Sequence, residues 1–279
     1  MLSIIVSSYQ QHYFDQFSEN IKSTIGTIDF EIIQQWNPGV MGICEAYNKG
    51  AEKAKYENLL FVHEDVLFET KDWGKILLES LNLDDLGVLG IAGSNYYGYV
   101  PSGCWNPIYV VNIIQMYEEK YVLYDKVNFN NYVEKVKVID GVFLACKKTI
   151  FEEFKFNQSI NNFHGYDLIF TLEISKKYQN YVTSQILLKH NSFGKIEKNW
   201  IDSVIKVRDL VGFEKTNKYN KDVEMKNYYK LIHLLDLYEP NYFKKVYTIL
   251  RYCNINVLGL INVFKILYRL RYLKLRNNI

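Results

Sequence analysis

No run of 18 apolar residues occurs anywhere in the 279-residue chain, so no segment has the length of a membrane-spanning helix. No two of the four cysteines (Cys44, Cys104, Cys146, Cys253) form a CxxC pair, which excludes a zinc ribbon and a thioredoxin-type motif. Cys146 lies in the apolar run Val142-Phe143-Leu144-Ala145 and reads as a buried thiol, and this cysteine usage fits a reducing compartment. An excess of one charge is also missing. The 33 Lys+Arg against 31 Asp+Glu are nearly balanced and give no global argument for nucleic acid. The N-terminal stretch Met1-Leu2-Ser3-Ile4-Ile5-Val6-Ser7-Ser8-Tyr9 has no basic flank and no cleavage site, so it reads as a strand and not as a signal peptide. What is present is a 48% hydrophobic fraction, enough for a sizeable core and too much for a disordered chain.

The apolar runs set the expected organisation. Ile4–Ser7 is a buried strand, and Phe14, Phe17, Ile21 and Ile25 recur at helical spacing over Tyr13–Ile25. A strand over Phe30–Gln34, the turn residues Asn37-Pro38-Gly39 and a helix over Gly42–Ala54 follow. The small residues Ala46, Gly50, Ala51 and Ala54 let that helix lie close to a sheet. With a third strand at Leu59–Val62, the order β-α-β-α-β predicts a parallel sheet with right-handed crossovers. Further elements are expected as a helix at Trp73–Leu83, a strand at Val88–Gly93, and loops with short strands from Ser94 to about Lys135. Beyond these come a helix opening near Lys148, a helix at Leu168–Lys177, a strand at Tyr181–His190, and helices at Lys198–Leu210 and Val223–Leu237.

The third strand empties into His63-Glu64-Asp65. Acidic groups at the carboxyl end of a buried strand are where α/β proteins place metal and nucleotide chemistry, and carboxylate oxygens are the ligands Mg²⁺ and Mn²⁺ prefer. A polar strand end facing water has the same appearance.

Four pieces in this order carry a resemblance over about residues 2 to 195. They are Ser3-Ile4-Ile5-Val6-Ser7-Ser8-Tyr9, the stretch from Asn37-Pro38-Gly39 through Ala46-Tyr47-Asn48-Lys49-Gly50-Ala51, His63-Glu64-Asp65, and Phe163-His164-Gly165-Tyr166-Asp167. The chain resembles a family 2-type glycosyltransferase of GT-A fold, close to the bacterial group that includes the streptomycin-biosynthesis StrF-like proteins. The resemblance implies an α/β, Rossmann-like mixed sheet flanked by helices over residues 1–196, with a helical C-terminal extension over 197–279. It implies that Val6, Ser7 and Ser8 cradle the nucleotide base, that Glu31 reaches base or ribose, and that Asn48 lines the nucleotide pocket. His63-Glu64-Asp65 stands for the family's DxD-like element, with His in place of the first Asp. Asp65 is then the metal ligand, Glu64 a donor-sugar contact, and His190 a second ligand to Mn²⁺ or Mg²⁺. Asp167 is implied as the general base for an inverting displacement, although the usual Glu-Asp pair is here Tyr166-Asp167. Asp167 is equally suited to cap the following helix. Trp105, Asp140, Gly141 and His164 are implied on the acceptor side, Trp105 by stacking on a sugar face.

Beyond Glu239 there is no acidic residue, while Lys244, Lys245, Arg251, Lys265, Arg269, Arg271, Lys274 and Arg276 accompany an apolar face from Val257 to Leu275. That is the composition of a basic amphipathic helix on an anionic membrane surface, or of a face packed on a partner or in a homodimer. The expectation is a cytoplasmic enzyme, peripheral on the inner face of the cell membrane and acting in polysaccharide biosynthesis. It would take a nucleotide-sugar donor, UDP-linked, and a glycan or glycolipid acceptor, and would bind no nucleic acid. The alternatives are a GT-A scaffold that binds sugar or nucleotide without turnover, and a nucleotidyltransferase. The latter needs a Gly-rich basic loop after the first strand, where this chain has Ser7-Ser8-Tyr9-Gln10-Gln11.

Overall fold

The structure is a computed structural model and describes residues 1–126, 132–161, 163–192, 196–213 and 219–276, without the side chains of 269 and 271–276. The expected β-α-β-α-β start is present as β1 (Leu2–Ser8), α1 (Gln11–Thr24), β2 (Phe30–Trp36), α2 (Ile43–Glu52) and β3 (Asn58–His63). Next come β4 (Val66–Phe68), α3 (Trp73–Ser80), β5 (Leu86–Gly90), β6 (Ala92–Ser94), β7 (Tyr109–Tyr117), β8 (Lys120–Lys126), β9 (Val133–Val136) and β10 (Val138–Ile139). After them stand β11 (Phe143–Lys147), α4 (Lys148–Phe154), α5 (Tyr166–Ile174), β12 (Gln179–Thr183) and β13 (Leu188–His190). The C-terminal part is helical: α6 (Lys198–Val211), α7 (Lys221–Tyr238), α8 (Tyr242–Arg251), α9 (Ile255–Leu258) and α10 (Leu260–Arg276).

One sheet runs β2-β1-β3-β11-β5-β12-β9, with β1 parallel to β2 and β3 and with β11 antiparallel to β3. A second runs β10-β6-β7-β13-β4, with β8 paired to β7. Alternation along the central strands fills two cores. Ile5, Leu59 and Phe61 join α2, α4 and α5 on one side, while Ile4, Val6, Leu60 and Val62 join α1 and α3 on the other. Strands covered on both faces are apolar throughout, which is why β1 reads as a continuous run. The small-residue face of α2 does approach the sheet closely: a Cβ at Gly50 would collide with Ile5.

Three expectations change. The strand expected at Val88–Gly93 is two strands, because the chain crosses at Ile91 from the first sheet to the second. The strand expected at Tyr181–His190 breaks likewise after Thr183, whose hydroxyl accepts from the Gln185 backbone and turns the chain. The stretch read as loops contains the long hairpin of β7 and β8, whose polar and tyrosine-rich β8 is exposed along most of its length.

Two buried charges hold the loop after β6 against the C-terminal helices. Glu224 of α7 is fully buried and accepts from the backbone N–H groups of Tyr99 (2.8 Å) and Val100 (2.9 Å) and from the Tyr96 hydroxyl. Arg208 of α6 stacks on Tyr97 at 4.0 Å and donates to the carbonyls of Gly98 and Gly212. This loop leads directly to Cys104 and Trp105. Glu224→Ala strands two buried N–H donors and is expected to lower unfolding free energy by about 3 kcal/mol in urea denaturation, with Glu224→Gln retaining roughly half of that. Parent-like stability of the Ala variant would show that the loop is held elsewhere.

Candidate functional site

Strand register assembles the site. His63 ends β3, and Ser7 at the end of β1 is its register partner. β4 begins just after Asp65 and pairs antiparallel with β13, so that His190 lies opposite Val66. The Asn191 backbone N–H donates to the Asp65 carbonyl at 2.9 Å. Asn20 of α1 fixes β4 by bonding both backbone groups of Phe68. Three elements thus bring His63, Asp65 and His190 together, with one donor atom of each within 4.8 Å of the others. His190 Nε2 is 3.3 Å and His63 Nδ1 4.0 Å from Asp65 Oδ1.

Burial raises the cost of charging Asp65. The hydrogen bond and charge of His190, the charge of His63 and a hydrogen bond from Ser192 outweigh it, and the carboxyl is held well below its ordinary range. Burial, aided by the neighbouring His190, lowers the pKa of His63 against the pull of Asp65 and Asp140. A carboxylate and two imidazoles are a donor set that suits Mn²⁺ and related divalent ions. Ligand atoms around one ion with bonds of about 2.1 Å stand roughly 3–4 Å apart, so the observed separations fit such an ion.

A second cluster stands beside the first. Because β11 is antiparallel to β3, the turn before it meets the end of β3, and the His63 N–H reaches the Val142 carbonyl at 3.4 Å. Asp140 and Asp167 sit at that turn, and with Cys104 they bring donor atoms within 4.8 Å of one another. Asp140 Oδ2 accepts from Trp105 Nε1 (2.7 Å) and Cys104 Sγ (3.3 Å), and its Oδ1 accepts from the Val142 N–H (3.0 Å). Asp167 Oδ2 accepts from the Gly141 N–H at 3.0 Å. Burial, reinforced by the charge of Asp140, pushes the Asp167 carboxyl up to about 7 against the backbone N–H groups that stabilise its anion. A base poised near neutrality is matched to proton transfer at physiological pH. The Gly141 peptide joins the clusters: its N–H serves Asp167, and its carbonyl accepts from the Tyr166 hydroxyl, which also contacts His63 Nε2 (each 3.0 Å). A Cβ at Gly141 would collide with that hydroxyl.

The structure therefore gathers Ser7, Asp65, His190, Trp105, Asp140, Gly141 and Asp167 around one place. His164 is half-buried in the turn before α5, beside Glu197. Other expected residues are committed elsewhere. Glu31 sits at the start of β2, level with Ser3, whose hydroxyl it accepts at 2.6 Å, and is not brought to the cluster. Asn48 clamps both backbone groups of Phe156 inside the core. Glu64 turns back to accept from the N–H groups of Tyr9 and Gln10, holding the entry to α1. Val6 is core, and the Ser8 hydroxyl accepts from Gln34. Trp105 spends its indole N–H on Asp140 and packs against Tyr109 and Tyr124. The sequence reading missed three residues. His63 and Tyr166 register there only as departures from family motifs, and Gln115 lies in the stretch read as loops, where no local signal marks it.

The family model described as "Glycosyltransferase like family" matches residues 3–228. No curated protein sequence matches the chain. Among solved structures, a crystal structure of GalNAc-T7 with UDP, GalNAc and Mn²⁺ is similar, with a TM-score of 0.53 at 10% identity. The alignment covers 75% of this chain and 47% of that one, so this chain spans less than half of that protein's length. The likeness establishes the GT-A fold. With well over half of its length inside the family match, the chain belongs to the glycosyltransferase-like family.

Proposed function

We propose that the protein is an inverting glycosyltransferase that moves a sugar from a nucleotide-sugar donor, UDP-linked, to a glycan or glycolipid acceptor with help from Mn²⁺ or Mg²⁺. The observation that carries this reading is the Gly141 peptide, which sets a cation-fitting trio beside a carboxylate of raised pKa. The similar structure was solved with UDP and Mn²⁺, which supports the same donor chemistry here. His63, Asp65 and His190 would hold the ion, which supplies electrophilic assistance to departure of the nucleoside diphosphate. Asp167 takes the proton of an acceptor hydroxyl. The freed oxygen bonds to the anomeric carbon as the bond to the diphosphate breaks, and the electron pair leaves with the diphosphate. Asp140 has both oxygens occupied by donors, which suits a fixed negative charge that keeps Asp167 basic.

Association with an anionic membrane surface is the second part of the proposal. Among the described residues, no helix is long and apolar enough to cross a membrane. Phe243 and Tyr247 of α8 and Ile261 and Phe264 of α10 are exposed by more than three-fifths of their surface. Lys244, Lys245 and Arg251 are engaged in ion pairs with Asp202, Glu239, Asp236 and Asp209, so the basic charge available to lipid must come from later in the tail. Lys265 is exposed, and the side chains of Arg269, Arg271, Lys274 and Arg276 lie outside the described residues. An apolar face flanked by cations suits interfacial binding.

UDP with Mn²⁺ is expected to raise the melting temperature by mass action, and Asp65→Ala to remove the Mn²⁺-dependent part. No shift with any nucleoside diphosphate, with or without the metal, contradicts the reading. Asp167→Asn is expected to slow transfer by about 10²- to 10⁴-fold. In the parent, transfer falls as pH drops through about 7, and Asp140→Asn moves that limb to lower pH. The raised pKa also costs stability. Between the ordinary value of 3.8 and about 7 the folded protein retains a proton that the unfolded chain has released, so stability falls as pH rises through that window. Asp167→Asn is therefore expected to melt above the parent at pH 8 and with it near pH 4. For the membrane face, Phe243→Asp combined with Phe264→Asp is expected to abolish co-sedimentation with phosphatidylserine-containing liposomes. Unchanged sedimentation of that variant assigns binding to another surface.

A further inference from the structure

The trio faces a problem of its own making. A neutral imidazole carries one proton, and if that proton sat on the nitrogen turned toward Asp65 it would bond the carboxylate and close the site to a cation. The surroundings of both rings oppose this, at opposite ring atoms.

β13 and β7 run parallel, and their register sets His190 against Gln115. The Gln115 amide N–H₂ donates to the Ser192 carbonyl, which turns its oxygen to His190 Nδ1 at 3.1 Å. An oxygen there calls for a proton on Nδ1, leaving Nε2 as a lone pair facing Asp65 Oδ1 at 3.3 Å. At His63 the contact is inverted. The Tyr166 hydroxyl spends its single proton on the Gly141 carbonyl at 3.0 Å and can offer His63 Nε2 only a lone pair. Nε2 then carries the proton, and Nδ1 faces Asp65 as a lone pair.

We propose that Tyr166 and Gln115 are positioning residues that lock His63 and His190 in opposite tautomers, so that both inner nitrogens and the Asp65 carboxylate converge as three electron-rich atoms preset for one divalent cation. This rests on the metal reading given above and adds His63 as its third ligand. Metal-bound histidines generally donate their remote N–H to a fixed acceptor, and loss of that acceptor typically weakens metal binding by about 10- to 100-fold. Without the Tyr166 oxygen, the His63 proton is free to move to Nδ1 and bond Asp65.

The test uses full-length protein labelled with ¹⁵N-histidine, freed of metal with EDTA and held at pH 8. Long-range ¹H–¹⁵N spectra are expected to show His63 protonated on Nε2 and His190 on Nδ1. The opposite tautomer at either ring overturns the proposal for that ring. Mn²⁺ titrations followed by electron paramagnetic resonance are expected to show about 10- to 100-fold weaker binding in Tyr166→Phe and in Gln115→Leu. Gln115→Glu keeps an acceptor oxygen at Nδ1 and is expected to restore most of the affinity. Folded Tyr166→Phe and Gln115→Leu proteins with parental Mn²⁺ affinity overturn the positioning role. If Gln115→Leu does not fold, equal affinity in Tyr166→Phe alone overturns it for His63, and a Gln115→Glu variant with the His190 proton on Nε2 overturns it for His190. Parent protein with the assigned tautomers and no Mn²⁺ binding upholds the tautomer assignment and overturns the metal reading instead.

Discussion

A half-buried carboxylate with two imidazoles turned toward it is the constraint around which the active end of this molecule is arranged. Removing Asp65 from water makes its charge costly, and the structure meets that cost with His190, His63 and Ser192. Each of these arrives by strand register. β3 delivers His63, β4 and β13 bring His190 beside Asp65, and β7 places Gln115 behind His190. A one-residue slip of β13 would turn His190 to the opposite face of its sheet, so the six-stranded sheet serves the site directly.

The neighbouring carboxylates are tuned the other way. Asp65 is pulled toward its anion, while Asp167 is pushed toward its neutral acid by burial and by Asp140. Carboxylates of opposite tuning a few bonds apart separate two jobs, holding positive charge and moving a proton. The Gly141 peptide keeps them in register, since one unit of backbone receives the Tyr166 hydroxyl and donates to Asp167. Only glycine fits there, because any Cβ would displace Tyr166.

Much of this was legible in the sequence. The alternation of apolar runs and helical spacing gave the parallel start, and Asp65, His190, Asp140 and Asp167 were all nameable from motif order. What was not legible depends on long-range pairing. Gln115 matters only because β7 lies beside β13, 75 residues away, and nothing local distinguishes it from Asn112 or Tyr117. Tyr166 looked like a defect in an acidic pair until its hydroxyl was seen between His63 and Gly141. Glu31 and Glu64 misled for a related reason. Buried acidic residues also serve backbone N–H groups and hydroxyls, and sequence alone does not say which end of a strand a side chain supports. The tail cations give the same lesson, since Lys244, Lys245 and Arg251 find carboxylates on α6 and α7 or beside them.

The most direct measurement is an anomalous difference map from crystals grown with Mn²⁺ and UDP, collected near the manganese edge. The account predicts one strong peak bonded to Asp65, His190 and His63, with the diphosphate on its open side and Asp167 facing the sugar end of the cleft. A peak held by Cys104, Asp140 and Asp167 instead, or UDP bound with no peak at the histidines, would contradict it.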